Sequence, residues 1–334
     1  FNTHMDKNYL LNKALINWLL QSNPWTAYRT RLDLLHQAES DPAVSAARIE
    51  MFTHPLVAGL TNEIQTWPGD AITNHKNAGL LLHKLVFLAD LGLKVTDTPI
   101  KAALTHLLAY RSSDGPLQVI VNIPTHFGGS GQNTLGWILC DTPSLTYSLA
   151  VMGLKDDPVI LSAVDHLAGL VRPNGFPCTG SPEIGRFRGP GKKEDPCPIA
   201  NLIMLKLLIQ YPDRLNSPVV LSTADTILNL WEHSQQQHPY LFQMGTDFRK
   251  LKAPLVWYDL LHCLDVLTQI PSIRMDPRLL DMLAVLTDQA NELGQFTPTS
   301  IWTAWKEWDF GLKKQPSPWV TFLAWRIVTR MNPA

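Results

Sequence analysis

Apolar positions along the chain fall into runs that resemble one another. Residues 83–93 (HKLVFLADLGL) are apolar on most sides, and residues 146–154 (TYSLAVMGL), 204–212 (MLKLLIQYP), 262–271 (HCLDVLTQIP) and 322–331 (FLAWRIVTRM) repeat the pattern. These runs end at positions 93, 154, 212, 271 and 331, so the steps are 61, 58, 59 and 60. An earlier unit, residues 28–37 (YRTRLDLLHQ), lies about one step before the first. A fixed spacing of this kind is the signature of a repeat architecture.

Each period holds a second helical pattern, over residues 98–110, 158–171, 218–233 and 277–292. In these, apolar residues recur at i, i+3, i+4 and i+7. Pro99, Pro158, Pro218 and Pro277 stand at or near their starts, where a missing N–H costs little and the fixed φ suits the helix. These segments are the more amphipathic and are expected outside; the first set, apolar nearly all round, is expected inside. Turns such as Arg172-Pro173-Asn174-Gly175-Phe176 and Gly294-Gln295-Phe296 link an outer helix to the next inner one. One short β-like run, residues 117–123, precedes the glycine-rich stretch His126-Phe127-Gly128-Gly129-Ser130-Gly131. That stretch lacks the GK[ST] ending of a phosphate loop, and an ordered loop over one mouth is expected there. The prediction is an all-α fold: one domain over residues 6–334, with residues 1–5 read as a cloning remnant.

Composition narrows the class. Charged residues are 17% of the chain, below the ~25% usual for soluble domains, so a large core is expected. The formal net charge of -1 gives no reason to expect nucleic acid. No apolar run reaches the ~18 residues of a membrane span. Four cysteines, Cys140, Cys178, Cys197 and Cys263, are too few for a disulfide scaffold and read as reduced thiols of a cytoplasmic protein.

Inner helices arranged in a ring would gather their N-terminal ends, with unsatisfied N–H groups and the positive dipole end, at one mouth. Those ends carry His75, Cys140-Asp141, Asp195-Pro196-Cys197 and Trp257-Tyr258-Asp259 with His262. A basic, glycine-containing loop, residues 185–194, leads into the Asp195-x-Cys197 pair, and His262 follows Cys197 by 65 residues, about one repeat. Here the chain resembles the catalytic subunit of protein prenyltransferases. Its repeat of outer helix, glycine-bearing turn and inner helix is similar, over nearly its whole length, to the toroids of that family and of squalene cyclases.

The resemblance implies an (α/α)6 toroid of six helical hairpins, with Zn2+ held by Asp195, Cys197 and His262 and one position left open. It also implies that Arg188 and Lys192 contact a diphosphate. Pro198 stands where the family has an aromatic, Cys140 or Asp141 replaces a family histidine, and the glutamine–tryptophan signature of squalene cyclases is missing. The acidic motif of protonating cyclases is absent too; the adjacent pair Asp156-Asp157 precedes Pro158 and reads as a helix cap. Each residue also has a structural reading. Asp195 is a good N-cap, Cys197 a small buried hydrophobe, Cys178 a loop-packing cysteine with a possible ligand role, and His262 a hydrogen-bonded core histidine.

Further candidates surround this set. Arg249, Lys252 and Trp257 form an anion- or substrate-binding group, with Arg249 suited to bidentate contact. Asp141, Asp259 and Tyr258 are the catalytic candidates, the carboxyls as general acids in a dry cavity. The function expected is a zinc-dependent prenyltransferase- or terpene-cyclase-like enzyme acting on an apolar or anionic small molecule, whose protein partner subunit the sequence does not reveal. The alternatives are a non-catalytic binder that uses the central cavity, and a carbohydrate-active hydrolase or lyase with Asp141, Asp247 or Asp259 as its carboxylates.

Overall fold

The computed structural model describes residues 11–185, 192–236, 246 and 248–332. Among these are thirteen α-helices and a two-stranded antiparallel sheet, so the molecule is mainly helical. The N-terminal part is formed by α1 (Lys13–Leu20), α2 (Pro24–Asp33), α3 (Pro42–Thr53) and α4 (Pro55–Glu63). After it, longer-spaced pairs alternate: α5 (Leu81–Leu91) with α6 (Thr98–Ala109), α7 (Thr142–Leu149) with α8 (Pro158–Ala168), and α9 (Pro198–Leu208) with α10 (Pro218–Glu232). Then come α11 (Leu260–Leu267) with α12 (Pro277–Thr287), and the final α13 (Pro318–Met331). The strands β1 (Val119–Val121) and β2 (Thr134–Gly136) pair Val119 with Gly136 and flank the glycine-rich stretch.

The two sets of helices differ in burial as their apolar patterns require. Every residue of α9 and of α11 is buried, whereas α8 buries only Ile160, Ala163, Val164 and Leu167, one stripe at helical spacing. The prolines at the starts of α8, α10 and α12 follow capping residues. Asp157 accepts from Val159 N–H, Ser217 from Val220 N–H and Asp276 from Arg278 N–H, which satisfies otherwise orphaned donors. Asp97 before Pro99 instead accepts from Lys94 N–H and pairs with Arg48.

The buried helices are neighbours in sequence order. α5 packs on α7, α7 on α9, α9 on α11 and α11 on α13; α13 packs back on α1 and α2. At the end of α5, Gly92 (φ 95°) has the Tyr28 ring and the Arg29 guanidinium of α2 as neighbours. Among the described residues, no helix is long and apolar enough to cross a membrane.

Charged groups collect at the C-terminal ends of these helices. Asp90 of α5 accepts from the Tyr147 hydroxyl of α7 at 2.7 Å and from Lys206 Nζ of α9 at 3.1 Å. Asp265 of α11 accepts from Arg326 and Arg330 of α13, each at 2.8 Å. Arg326 also reaches Asp33 of α2, which pairs with Arg29. Burial opposes the charge on Asp265, but Arg326, Arg330 and Lys206 outweigh it and hold its carboxyl far below the ordinary range. The opposite, N-terminal ends therefore form the end at which less heavily paired chemistry can gather.

Candidate metal centre

Three segments converge at the N-terminal ends of α7 and α9, each fixed by backbone hydrogen bonds. The turn that follows α8 has Gly175 at φ 101°, and a Cβ there would lie 2.4 Å from Asn201 Oδ1 and 2.7 Å from Thr226 Oγ1. Only glycine fits both demands. Asn201 of α9 accepts from Phe176 N–H at 2.8 Å and donates to Phe176 O at 2.9 Å, while Cys197 N–H also donates to Phe176 O at 2.8 Å. This clamp sets Cys178, two residues on, against the start of α9.

A second clamp joins Cys178 to Cys140. Leu139 N–H donates to Thr179 O, Ser181 N–H donates to Trp137 O, and Ile138 pairs with Gly180 in an antiparallel bridge. Gly180 permits the approach, because a Cβ there would stand 2.7 Å from Trp137 O. Cys140 and Cys197 are buried and Cys178 half-buried, and the three Sγ atoms lie within 4.8 Å of one another. None of the three is in a disulfide, and the Cys140 and Cys197 sulfurs are 3.8 Å apart.

That spacing tests the fit of a metal. Two thiolates bound to one tetrahedral zinc at ~2.3 Å are separated by about 3.8 Å. Thiolate donors also suit a soft or borderline ion. The thiols share charge unequally. Burial opposes a thiolate at Cys197, but hydrogen bonds from Cys140 and Cys178, the Ala200 N–H in the first turn of α9 and the nearby charge of His75 outweigh it and lower its pKa. Cys140 moves the other way, raised by its hydrogen bonds to Cys178 and Cys197 and by burial. One sulfur of the group thus takes up negative charge first, as a ligand or a nucleophile requires.

Beside the thiols stands a histidine–carboxylate pair. His75 Nδ1 and Asp141 Oδ2 are 2.7 Å apart, with Asp141 fully buried and the His75 side chain 24% exposed. Burial opposes protonation of His75, but the Asp141 carboxylate prevails, helped by Cys197, and raises its pKa. His83 of α5 fixes the backbone here through a 2.9 Å bond between its Nε2 and His75 O.

The residues expected around Cys197 are placed differently. Asp195 and His262 are outside the group of mutually close donor atoms. Asp195 Oδ2 accepts from Lys192 N–H at 3.3 Å across a turn, and the cap of α9 is Cys197 itself. His262 turns its Nδ1 to Trp257 O at 2.8 Å, leaving Nε2 buried without a hydrogen-bond partner. Burial, then the charge of Lys206, bring its pKa down to about 3, so it is a neutral imidazole. Asp259 caps α11 by accepting from His262 N–H at 2.9 Å. Tyr258 is buried against the Trp257 and Phe248 rings. Of the expected substrate group, Lys252 Nζ sits 3.1 Å from the Trp302 ring centre and Arg249 lies over Trp231, while Trp257 faces Lys76 at 5.5 Å. Arg188 and Asp247 lie outside the described residues.

His75 and Cys140 were visible as residues of the right chemistry at the inner-helix ends, whereas Cys178 read as a loop-packing cysteine with a possible ligand role. The sequence lacked the strand-like pairing of residues 137–139 with 179–181, which unites thiols from separate turns. The chain matches no family model, no curated protein and no solved structure.

Proposed function

We propose that the chain is a zinc enzyme built on an (α/α)6 toroid, with Cys140, Cys178 and Cys197 as the metal's three protein ligands and a small molecule at the fourth position. The observation that carries this reading is the 3.8 Å separation of two free, buried thiols with a third alongside. Ring closure is supported by the run of neighbours from α5 to α13 and by the return of α13 to α1 and α2. Bound zinc would supply Lewis acidity and stabilise an anionic ligand near neutral pH. The chain's own residues would hold it, orient His75 through Asp141, and exclude water with the buried walls of α7 and α9. Chemistry akin to prenyltransferases or terpene cyclases, on an apolar or anionic substrate, is the activity this reading assigns. The carbohydrate-active alternative receives less support, since Asp141 serves His75 and Asp259 caps a helix.

A second reading rests on one specific arrangement: Cys197, His75 and Asp141 follow the order nucleophile, base, orienting carboxylate. One experiment separates the two. Elemental analysis of purified protein is expected to give about one zinc per chain, with near-zero zinc in Cys197→Ala and Cys140→Ala of unchanged circular dichroism. A metal-free wild-type protein whose Cys197 is rapidly alkylated by iodoacetamide would instead establish the thiol nucleophile.

A further inference from the structure

Coordination by three cysteines leaves a zinc-like ion one ligand short of a tetrahedron. What fills that position depends on the groups around it, and His75, partly open to solvent, lies in electrostatic reach of Cys197. Its ring is not free to choose a tautomer. A carboxylate oxygen only accepts hydrogen bonds, so the 2.7 Å contact with Asp141 puts the proton on Nδ1. In the neutral ring Nε2 then carries a lone pair, and no described residue donates to it. Asp141, which immediately follows Cys140, holds the ring, and His83 grips the His75 backbone carbonyl. A second observation also points to a ligand, for Asp141 Oδ1 is buried without a hydrogen-bond partner. The ring nitrogens of His75 do not belong to the donor set mutually within 4.8 Å, so the imidazole stands next to the ligand set and not in it.

We propose that His75 is a specificity-determining residue of this centre, whose Nε2 accepts a hydrogen bond from the atom occupying the metal's fourth position. The inference rests on the metal reading above. It selects ligands by whether their donor atom bears a proton. Water or an alcohol can bind the ion and give a hydrogen bond to Nε2, and a thiol can bind as thiolate by passing its proton to Nε2; an aprotic anion of similar size can do neither. Asp141 acts through the ring, as a positioning residue.

Cobalt(II) exchanged into the full chain provides the test, read from its visible absorption on titration with 2-mercaptoethanol and, separately, with azide. His75→Leu is expected to weaken 2-mercaptoethanol binding about tenfold, the loss of one hydrogen bond of ~1.4 kcal/mol, and to leave azide binding and the starting spectrum unchanged. His75→Gln, whose amide oxygen can accept, is expected to recover part of the difference. Equal effects on both probes, or on neither, would overturn the inference. So would a changed cobalt spectrum in His75→Leu before any probe is added, since His75 would then be a ligand itself. A wild-type chain that takes up no cobalt would overturn the metal reading, and this inference with it.

Discussion

At the scale of single residues, His262 shows how one imidazole can be misread from sequence. Its position one repeat after Cys197 suggests a ligand, yet its Nδ1–H is committed to Trp257 O and its ring is fully buried and neutral. A neutral buried histidine has a thermodynamic consequence of definite sign. With a folded pKa near 3 against an ordinary 6.5, the unfolded chain binds the proton first, so stability falls as pH drops below about 6.5. At pH 5 this amounts to about 2 kcal/mol relative to neutral pH. In urea melts, His262→Gln is expected to lose about 2 kcal/mol less than wild type between pH 7 and pH 5. An equal loss in both proteins would show that His262 does not carry this part of the acid sensitivity.

At the scale of elements, much of the structure was legible in the chain. Pro99, Pro158, Pro218 and Pro277 mark the starts of α6, α8, α10 and α12 in the structure as they do in the sequence, because a fixed φ and a dispensable N–H suit the first turn. The apolar runs at 204–212 and 262–271 begin in α9 and α11, helices buried on every side. The candidate site was only half legible. Cys197 could be singled out because it opens a helix, but its two companions sit in irregular turns whose pairing depends on Asn201, Gly175 and Gly180. No periodicity announces such contacts. Gly175 offers a direct check of this clamp. Gly175→Ala would force a side chain into a left-handed backbone and against Asn201 and Thr226, at a cost of about 2 kcal/mol. A lowered melting temperature and weaker zinc retention against a chelator are expected together, since Cys178 is placed by the same turn. Unchanged zinc retention would separate the clamp from the donor set.

At the scale of the whole molecule, the two ends of the buried helices have been given different work. One end holds thiols and imidazoles, with His75 partly exposed; the other holds two bonded groups, Asp90 with Tyr147 and Lys206, and Asp265 with Arg326, Arg330 and, through Arg326, Asp33. The balance there is sensitive to any single loss. Removing the charge of Asp265 would leave Arg326 and Arg330 without the anion they share, and Asp265→Asn is expected to cost ~3–5 kcal/mol in a denaturant melt at pH 7. The wild-type contribution is present above the unfolded carboxyl pKa of about 4 and is lost as pH falls below it, because Asp265 has its folded pKa depressed. The gap between variant and wild type should therefore narrow in strong acid. A constant gap would exclude ionisation as its source.

The separation of partners along the chain adds a last point. Cys140 and Cys197 are 57 residues apart, whereas the Arg326–Asp33 contact joins positions 293 apart. Repeat proteins open most readily where neighbouring units are joined late and by few links. A breach at the meeting of the first and last helices would thus leave the sulfurs still gathered by their own two clamps. Opening there would not by itself part Cys140 from Cys197.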